Sequence, residues 1–441
     1  MKGYLKYKDS GVQWLGEIPE HWDITKIKRL VSIKIADGPH ETPIFSDTGY
    51  PFISAEAIQN NKIDFNRRRG NIKEELHTFY CKKCKPKQDD VLMCKSGSTT
   101  GKVAIVDTDI EFSIWSPLAL IRSNQKIIIP KFLFYSMLEQ SFQAQVQLSW
   151  SFGTQPNIGM GVIENLYLRL PTISEQKQIV YFLDHKLEQI NHFISNKQRL
   201  IELLKEQKTA IINRAVTKGI NPHAPMKPSG IEWLGEIPEH WKLKKLKWFT
   251  KTESGSTPNS GQQKKYYENG NINWVRTLDL NNDEIWNTEI KITEKAIVDT
   301  SCKIVPPGTV MIAMYGGDGT IGKNAILRVF AATNQAVCCI LPNSNFVPEF
   351  LHKYVQFYRP HWMFDATGSR KDPNISQEIV RELIVFFPPI EEQKAIVSFI
   401  DEKSEKIDLA ITKIEKEIEL IKEYRTTLIS DAVTGKIDVR I

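Results

Sequence analysis

The sequence predicts an α+β protein with two similar globular domains. These are separated by two long antiparallel helices that form an intramolecular coiled coil with pseudo-two-fold symmetry. Two observations carry this prediction: an internal repeat of about half the chain, and an apolar seam with a 3.5-residue period in each half. The chain has 441 residues, of which 41% are hydrophobic and 25% charged, the balance of a globular protein large enough for two or three domains.

Two segments of the first half of the chain recur in the second half. SGVQWLGEIPEHW at Ser10–Trp22 recurs as SGIEWLGEIPEHW at Ser229–Trp241, with eleven of thirteen positions identical at an offset of 219. SEQKQIVYFLDHK at 174–186 likewise resembles EEQKAIVSFIDEK at 391–403, at an offset of 217. The nearly constant offset predicts five segments: a first globular domain at 1–171, a first helix at 172–217, a Pro- and Gly-containing linker at 218–228, a second globular domain at 229–388 and a second helix at 389–441.

The two helical segments contain no internal Pro or Gly, and their apolar positions alternate in steps of four and three. The first seam consists of Leu183, Leu187, Ile190, Ile194, Lys197, Ile201, Leu204, Lys208, Ile211 and Ala215. The second consists of Ile400, Ser404, Ile407, Ile411, Ile414, Ile418, Ile421, Arg425, Leu428 and Ala432.

Net charge favours pairing of the two helices with each other. Residues 174–219 contain eight Lys and Arg against five Asp and Glu, a balance of +3, whereas 391–436 contain eight against eleven, a balance of −3. If the ends of the second domain lie close together, the second helix runs back along the first, which gives an antiparallel pair. The alternative is two amphipathic helices that pack separately on their own domains.

The globular parts share a pattern of short β-rich runs. DVLMCKSGSTTGKVAIV at 90–106 resembles GTVMIAMYGGDGTIGKNAIL at 308–327: a strand, a Gly-rich turn and a second strand. TQPNIG at 154–159 similarly resembles KDPNIS at 371–376. We expect two α+β domains, each with a curved or barrel-like sheet.

The paired long helices, the duplicated domains and the repeated WLGEIPEHW opening resemble the specificity subunits of Type I restriction–modification systems. The resemblance covers nearly the whole chain. It implies that each domain reads one half of a split double-stranded DNA target. It further implies that the helices measure the spacer and dock two modification subunits, which bind S-adenosylmethionine and methylate adenine. Two restriction subunits that use ATP and magnesium join some of these complexes, so the chain itself is expected to hold no cofactor and no catalytic centre.

Base and phosphate contacts are expected from Arg, Lys, Asn, Gln, Ser, Thr and Tyr on loops. In the first domain the candidates are Arg67, Arg68, Arg69, Lys95, Ser96, Ser98, Thr99, Lys102, Ser151, Thr154, Gln155 and Asn157. In the second domain they are Lys264, Lys265, Tyr266, Arg276, Tyr315, Lys323, Ser369, Arg370, Lys371 and Asn374. For any one of them, the alternative is a solvated loop residue.

Three motifs suggest other chemistry. The Gly317–Lys323 segment has the spacing of a phosphate-binding loop, but Asn324 stands where Ser or Thr would bind magnesium, so we interpret it as a tight turn between strands. Cys81 and Cys84, with His77 and Cys94 nearby, suggest zinc only weakly because a second Cys pair at suitable spacing is lacking. The repeated openings, with Trp14, Pro19, His21 and Trp22 in the first and Trp233, Pro238, His240 and Trp241 in the second, are interpreted as apolar anchors rather than ligand sites.

The formal net charge of +6 and the pI near 8.7 permit nucleic-acid binding without requiring it. Six cysteines, a polar start without a leader and the lack of a long apolar run favour a reducing cytoplasm. Two other functions are considered: a coiled-coil scaffold that bridges protein partners without DNA selectivity, and an enzyme that uses the Gly-rich turn.

Overall fold

The computed structural model describes residues 2–152, 156–316, 319–368 and 373–440. By internal contacts the chain divides into two compact units, Met1–Lys197 with Glu415–Ile441, and Gln198–Ile414. Each unit therefore contains one globular part and a portion of both long helices. The sequence had predicted the helices as segments separate from the domains.

The first half of the chain, up to residue 218, contains fifteen short strands and five α-helices among its described residues. The strands are β1 Tyr7–Asp9, β2 Glu17–Pro19, β3 Asp23–Lys26, β4 Ala36–Asp37, β5 Tyr50–Ile53, β6 Ile58–Gln59, β7 Lys62–Ile63, β8 Gly70–Ile72, β9 Val91–Cys94, β10 Val103–Ile105, β11 Ser113–Ile114, β12 Leu118–Ile121, β13 Ser151–Phe152, β14 Pro156–Asn157 and β15 Tyr167–Leu170. The helices are α1 Glu74–Lys83, α2 Pro130–Leu138, α3 Gln140–Leu148, α4 Met160–Ile163 and α5 Ile173–Lys218.

The second half repeats this order with small additions. Its strands are β16 Met226–Pro228, β17 Glu236–Pro238, β18 Lys242–Lys245, β19 Thr252–Ser254, β20 Ile272–Val275, β21 Glu284–Ile285, β22 Lys291–Ile292, β23 Ile304–Val305, β24 Val310–Ala313, β25 Asn324–Leu327, β26 Ala331–Thr333, β27 Val337–Ile340, β28 Thr367–Gly368, β29 Pro373–Asn374 and β30 Ile384–Phe387. Its helices are α6 Gln263–Tyr266, α7 Glu294–Asp299, α8 Pro348–Tyr358, α9 Trp362–Asp365, α10 Gln377–Glu382 and α11 Ile390–Thr434.

The two globular parts share the core strand order of their two larger sheets, and the second part adds one edge strand to each. The main sheet of the first has the strand order β10-β9-β12-β4, and that of the second has β21-β25-β24-β27-β19, which adds one parallel edge strand, β21. A second sheet has the order β11-β5-β8 in the first domain and β23-β26-β20-β22 in the second. In each of these second sheets one pair is parallel, β5 with β11 and β20 with β26. The duplicated α+β fold predicted from the sequence is confirmed.

One glycine in each domain explains part of this shared geometry. A Cβ on Gly38 would lie 1.8 Å from the carbonyl oxygen of Ile114, and a Cβ on Gly255 would lie 1.7 Å from that of Thr333. Both glycines follow an edge strand of the main sheet, β4 or β19, and lie against the second sheet. Only glycine permits this close approach of two backbones.

The long helices pair in the antiparallel sense. Within the first unit, Lys197 of α5 lies 2.7 Å from Glu417 of α11, and Arg425 of α11 donates to Asn191 of α5 at 3.5 Å. The residue that lies earlier on α5 thus meets the residue that lies later on α11. This ordering defines an antiparallel pair.

The same pairing occurs within the second unit, where Lys208 of α5 lies 2.7 Å from Asp408 of α11. All twenty predicted seam positions are buried or half-buried. Three of them are cationic, Lys197, Lys208 and Arg425, and each reaches past the seam to a polar side chain of the other helix. Long cationic side chains bury their stems in this way while their charged heads stay near solvent.

Candidate DNA interface

The Gly-rich turn of the first domain joins β9 to β10 and is shaped by two glycines. Gly97 and Gly101 have φ angles of 89° and 95°, the left-handed region that favours glycine. Cys94 and Lys102 close the turn, since the amide of Cys94 donates to the carbonyl of Lys102 at 2.8 Å. The turn thereby exposes Ser98 and Lys102 at one end of the sheet.

The second domain has the matching turn between β24 and β25. The amide of Ala313 donates to the carbonyl of Lys323 at 2.8 Å, as Cys94 does to Lys102. Gly322 has a φ of 70° and lies against Trp362, 2.5 Å from a Cβ position. The chain continues from Lys323 into β25 and not into a helix, as a phosphate-binding loop would. The interpretation as a turn between strands is confirmed.

In each domain a β-hairpin packs beside the Gly-rich turn. In the first, the amide of Ile158 donates to the carbonyl of Lys95 at 2.8 Å, and Thr100 donates to the carbonyl of Pro156 at 3.2 Å. In the second, the amide of Ile375 donates to the carbonyl of Met314 at 2.9 Å. The second strand of each hairpin, β14 or β29, consists of the Pro-Asn of the repeated Pro-Asn-Ile segment. The structure therefore brings together two of the three loop groups predicted in the first domain.

The helix before each hairpin also holds the turn. Gln143 of α3 donates to the carbonyl of Gly101 at 2.9 Å. Arg359, between α8 and α9, donates to the carbonyl of Gly319 at 2.9 Å. In each domain the turn and the hairpin form one surface, which we call the reading face, and the helix supports it. The reading face consists of residues 95–102 with 151–152 and 156–157 in the first domain, and 314–316 and 319–323 with 373–374 in the second.

The third predicted loop, Arg67–Arg69, is exposed but largely engaged. Arg69 pairs with Glu56, and its guanidinium lies 4.9 Å from the centre of the Trp115 ring. Arg68 donates to Asn71 at 3.0 Å. Trp115 is two residues from Pro117, whose carbonyl accepts from the amide of Lys95 at 2.8 Å, so this loop adjoins the reading face.

Lys95 itself is turned inward. Its side chain is only 13% exposed, and its ammonium lies 3.3 Å from a carboxylate oxygen of Asp37. Lys83 lies 2.7 Å from the other oxygen of this buried carboxylate. Burial opposes ionisation of Asp37, but the hydrogen bonds and charges of the two lysines outweigh it, so the pKa of Asp37 is lowered. This geometry makes Lys95 a support of the turn, which the sequence analysis did not foresee.

The lysines at the ends of the two turns are different. Lys102 is exposed and Lys323 is half-buried. Within the described residues neither makes an ion pair. They are therefore the most available cations of the two reading faces.

Other candidates in the second domain lie in several places. Arg276 is 22% exposed and is held by Asp279 at 3.3 Å. Lys265 is exposed and pairs with Asp299 at 2.7 Å, and Lys264 is also exposed. Tyr266, in contrast, is 7% exposed within a core cluster that includes Trp274 and Ile292, so its proposed contact with DNA is corrected to a packing role.

The remaining candidates are polar surface positions or lie outside the described residues. Ser96 and Thr99 are half-buried, and Ser151, Asn157, Tyr315 and Asn374 are exposed. Thr154, Gln155, Ser369, Arg370 and Lys371 lie outside the described residues.

Of the residues suggested for zinc, Cys81 lies 3.5 Å from His77, but His77 and Cys84 are held by packing. His77 is buried, stacks on Tyr50 with ring centres 3.9 Å apart, and shares a hydrogen bond with Ser113 at 2.9 Å. Burial raises the pKa of Cys84 to about 12. The described part of the chain contains no group of three or more His, Cys, Asp or Glu placed to hold a metal ion.

The repeated His residues contact the long helices. His21 lies 2.9 Å from Glu175 of α5, and His240 lies 2.7 Å from Glu392 of α11. Trp22 and Trp241, one residue further on, are completely buried. A comparison of the two repeats could have predicted this pairing, because both the His and the Glu recur.

Two α+β parts with one strand order, each with a turn-and-hairpin face and each packed on paired long helices, define a duplicated recognition protein. The chain belongs to the family of the Type I restriction modification DNA specificity domain, whose model matches residues 19–205 and 238–420. Recognition of DNA sequence is the task of this family, and its specificity subunits are in general non-catalytic.

Individual relatives agree over the full length. The chain is 26% identical over 436 residues to the putative type I restriction enzyme MjaX specificity subunit of Methanocaldococcus jannaschii, covering 97% of this chain and 96% of that protein. It is 25% identical over 439 residues to the MjaVIII specificity subunit of the same organism, covering 96% and 94%.

Solved structures share the fold. A chain from a structure of a type I restriction–modification system matches with a TM-score of 0.70 at 16% identity, covering 95% of this chain and 99% of that one. The HsdS subunit from Thermoanaerobacter tengcongensis matches with a TM-score of 0.55 at 16% identity, covering 95% and 98%. Separately, the described helices include none both long and apolar enough to span a membrane.

Proposed function

We propose that this chain reads a bipartite DNA target for a Type I restriction–modification complex, with each globular domain recognising one half. The observation that carries this proposal is that the two reading faces share backbone hydrogen bonds but differ in several side chains. Lys95 and Ser96 in the first turn correspond to Met314 and Tyr315 in the second. A common scaffold with different exposed groups suits two different half-sites.

The chemistry of the complex would come from its partners. Two modification subunits, each with S-adenosylmethionine, would dock on the chain and methylate adenine. Restriction subunits, where present, would use ATP and magnesium. The paired helices α5 and α11 would set the spacer between the half-sites.

The test is to co-express the chain with the modification subunit of its own system and map N6-methyladenine in bulk DNA. Methylation should fall on one split motif. Lys102→Ala should weaken or relax recognition of only one half of this motif, and Lys323→Ala that of only the other half. For each phosphate contact removed, the salt slope of DNA binding should fall by about one unit.

Lys126→Ala and Lys251→Ala are matched controls. Both lysines are exposed and lie near the end of the main sheet away from the Gly-rich turn, in the first and second domain respectively. DNA binding that is independent of salt and unchanged by Lys102→Ala and Lys323→Ala would favour the protein-bridging scaffold instead.

The spacer proposal has its own test. One heptad added to the middle of both helices lengthens them by about 10 Å, or about three base pairs. The spacer of the methylated motif should grow by two or three base pairs. An unchanged spacer would refute the role of the helices as a ruler.

A further inference from the structure

The loop at the start of each domain, residues 10–16 and 229–235, is built identically twice; we call it the tryptophan loop. It connects the strands of a small hairpin, β1–β2 or β16–β17. The amide of Ser10 donates to the carbonyl of Gly16 at 3.0 Å, and the amide of Ser229 donates to that of Gly235 at 2.9 Å. The loop is thus a closed, preorganised structure in both units.

The glycines of this loop reinforce the point. Gly11 and Gly16 have φ angles of 71° and 65°, and Gly230 and Gly235 have φ angles of 75° and 73°. A Cβ at any of these four positions would meet nothing within 4 Å. These glycines therefore serve the left-handed backbone of the loop itself and do not accommodate a neighbouring part of the protein.

Packing explains only some of the identical residues. Trp22 and Ile18, with their counterparts Trp241 and Ile237, are buried. Trp14 and Trp233 are instead 53% and 48% exposed, although one face of Trp233 stacks on His361 with ring centres 4.0 Å apart. Over much of the globular parts the halves have diverged, including several positions of the reading faces. An exposed tryptophan retained in both copies of a rigid loop calls for a contact outside the chain.

Although Lys6 and Lys8 are exposed on the first hairpin, the charges next to these tryptophans are mostly acidic, which favours a protein over DNA as the occupant. Glu17 and Glu20 are exposed in the first copy, as are Glu236 and Glu239 in the second. Glu20 has only a long contact with Lys6, at 3.9 Å between two exposed side chains. Carboxylates on this hairpin would repel phosphates, whereas they suit a protein surface with basic residues.

We propose that each tryptophan loop docks one copy of the modification subunit, which inserts the indole of Trp14 or Trp233 into an apolar pocket flanked by basic side chains. This inference rests on the proposed function. A surface that occurs twice in one chain fits a partner present in two identical copies. Tryptophan is among the residues that most often dominate binding energy at interfaces.

The test measures binding of the purified modification subunit to the full-length chain by native mass spectrometry and calorimetry. The wild type should bind two copies. Trp14→Ala and Trp233→Ala should each weaken one of the two binding events by at least about 30-fold, the usual threshold for a dominant interface residue. The double variant should weaken both, and Glu17→Lys with Glu236→Lys should do the same without loss of an aromatic contact.

Trp248→Ala is the matched control, because Trp248 is 66% exposed but has no tryptophan counterpart in the first half. Binding of two copies by the double Trp14 and Trp233 variant with unchanged affinity would overturn the inference while leaving the proposed function intact. A wild type that binds no modification subunit would overturn both. Self-association of the chain that disappears in the double variant would assign the loop to a second copy of this protein and also overturn the inference.

Discussion

A buried glutamine in the first turn of each long helix gives the sharpest test of how the helices are anchored. Gln176 of α5 is completely buried. Its side-chain oxygen accepts from the amide of Ile129 at 2.8 Å, and its nitrogen donates to the carbonyls of Ile127 and Pro171, both at 3.0 Å. One side chain thus satisfies three backbone groups at the junction of helix and domain.

Gln393 repeats the arrangement at the start of α11. It is 1% exposed, accepts from the amide of Val347 at 2.8 Å and donates to the carbonyl of Pro388 at 2.9 Å. Within the described residues the side chain of Gln393 therefore makes two such hydrogen bonds, whereas that of Gln176 makes three. The repeat supplies an internal comparison of how the loss scales with the number of bonds.

Gln176→Leu would fill a similar volume but leave three backbone groups without their partner. Each such group costs about 1 to 3 kcal/mol. Because most of these groups are only partly buried, the lower end applies, and we expect a loss of about 3 kcal/mol in the free energy of unfolding. Gln393→Leu should cost about 2 kcal/mol by the same reasoning. Because the two sites lie in different units, their effects should add.

Urea unfolding followed by tryptophan fluorescence and circular dichroism measures these losses, and hydrogen exchange at Ile129 and Val347 localises them. Gln176→Glu is an informative companion, because a carboxylate accepts from Ile129 but cannot donate to the two carbonyls. It should be at least as destabilising as leucine at pH 7. A Gln176→Leu protein within about 0.5 kcal/mol of wild type, the usual range of a surface change, would refute the reasoning.

Three further predictions concern the first domain and the helices. Gly38→Ala should abolish folding of the first domain or lower the free energy of unfolding by more than about 3 kcal/mol, because the added Cβ would overlap a carbonyl. Gly161→Ala is the control: its Cβ would meet nothing within 4 Å, so it should cost less than about 1 kcal/mol. Thermal unfolding compares the two variants. Asp37→Asn should destabilise the protein at pH 7. The folded pKa of Asp37 lies below its unfolded value of about 3.9. The difference in unfolding free energy between wild type and Asp37→Asn should therefore persist above about pH 4 and vanish as the pH falls through the folded value. Urea titrations from pH 3 to 7 would detect this. Ser404→Ala should stabilise the helix pair by about 1 kcal/mol, because the buried Ser404 hydroxyl makes no hydrogen bond within the described residues; an equal or lower midpoint of unfolding would contradict this.

The sequence predicted the helices best because their signal is local and repeated. A seam in steps of four and three identifies which side chains face inward without any knowledge of the rest of the fold. Counting in steps of four and three assigned even the polar residues Lys197 and Ser404 to the seam. Pairing of the helices followed from their net charges and the antiparallel direction from the chain path, and the structure places Lys197 beside Glu417 in that sense.

The reading faces were predicted only in part, because their geometry depends on contacts between distant segments. The turn at 95–102 was recognised and Ser151 and Asn157 were assigned to a candidate loop, but nothing local shows that Ile158 bonds to Lys95. Similarly, Lys95 looks like any loop cation until the buried carboxylate of Asp37 is seen beside it. The polar residues around Tyr266 suggested an exposed insertion, whereas the Tyr266 ring packs with Trp274.

If the two domains read different half-sites as proposed, the way each turn is held explains how one fold serves both. The amide of Lys95 donates to the carbonyl of Pro117, and the amide of Met314 donates to that of Ala336, both at 2.8 Å. These bonds use main-chain atoms alone, so the backbone keeps its course whichever side chains project from it. Exposed residues of a turn such as Ser98 can then be exchanged at little cost in stability. A reading face supported chiefly by main-chain bonds can therefore diverge, while anchors such as Gln176, which act through their side chains, cannot.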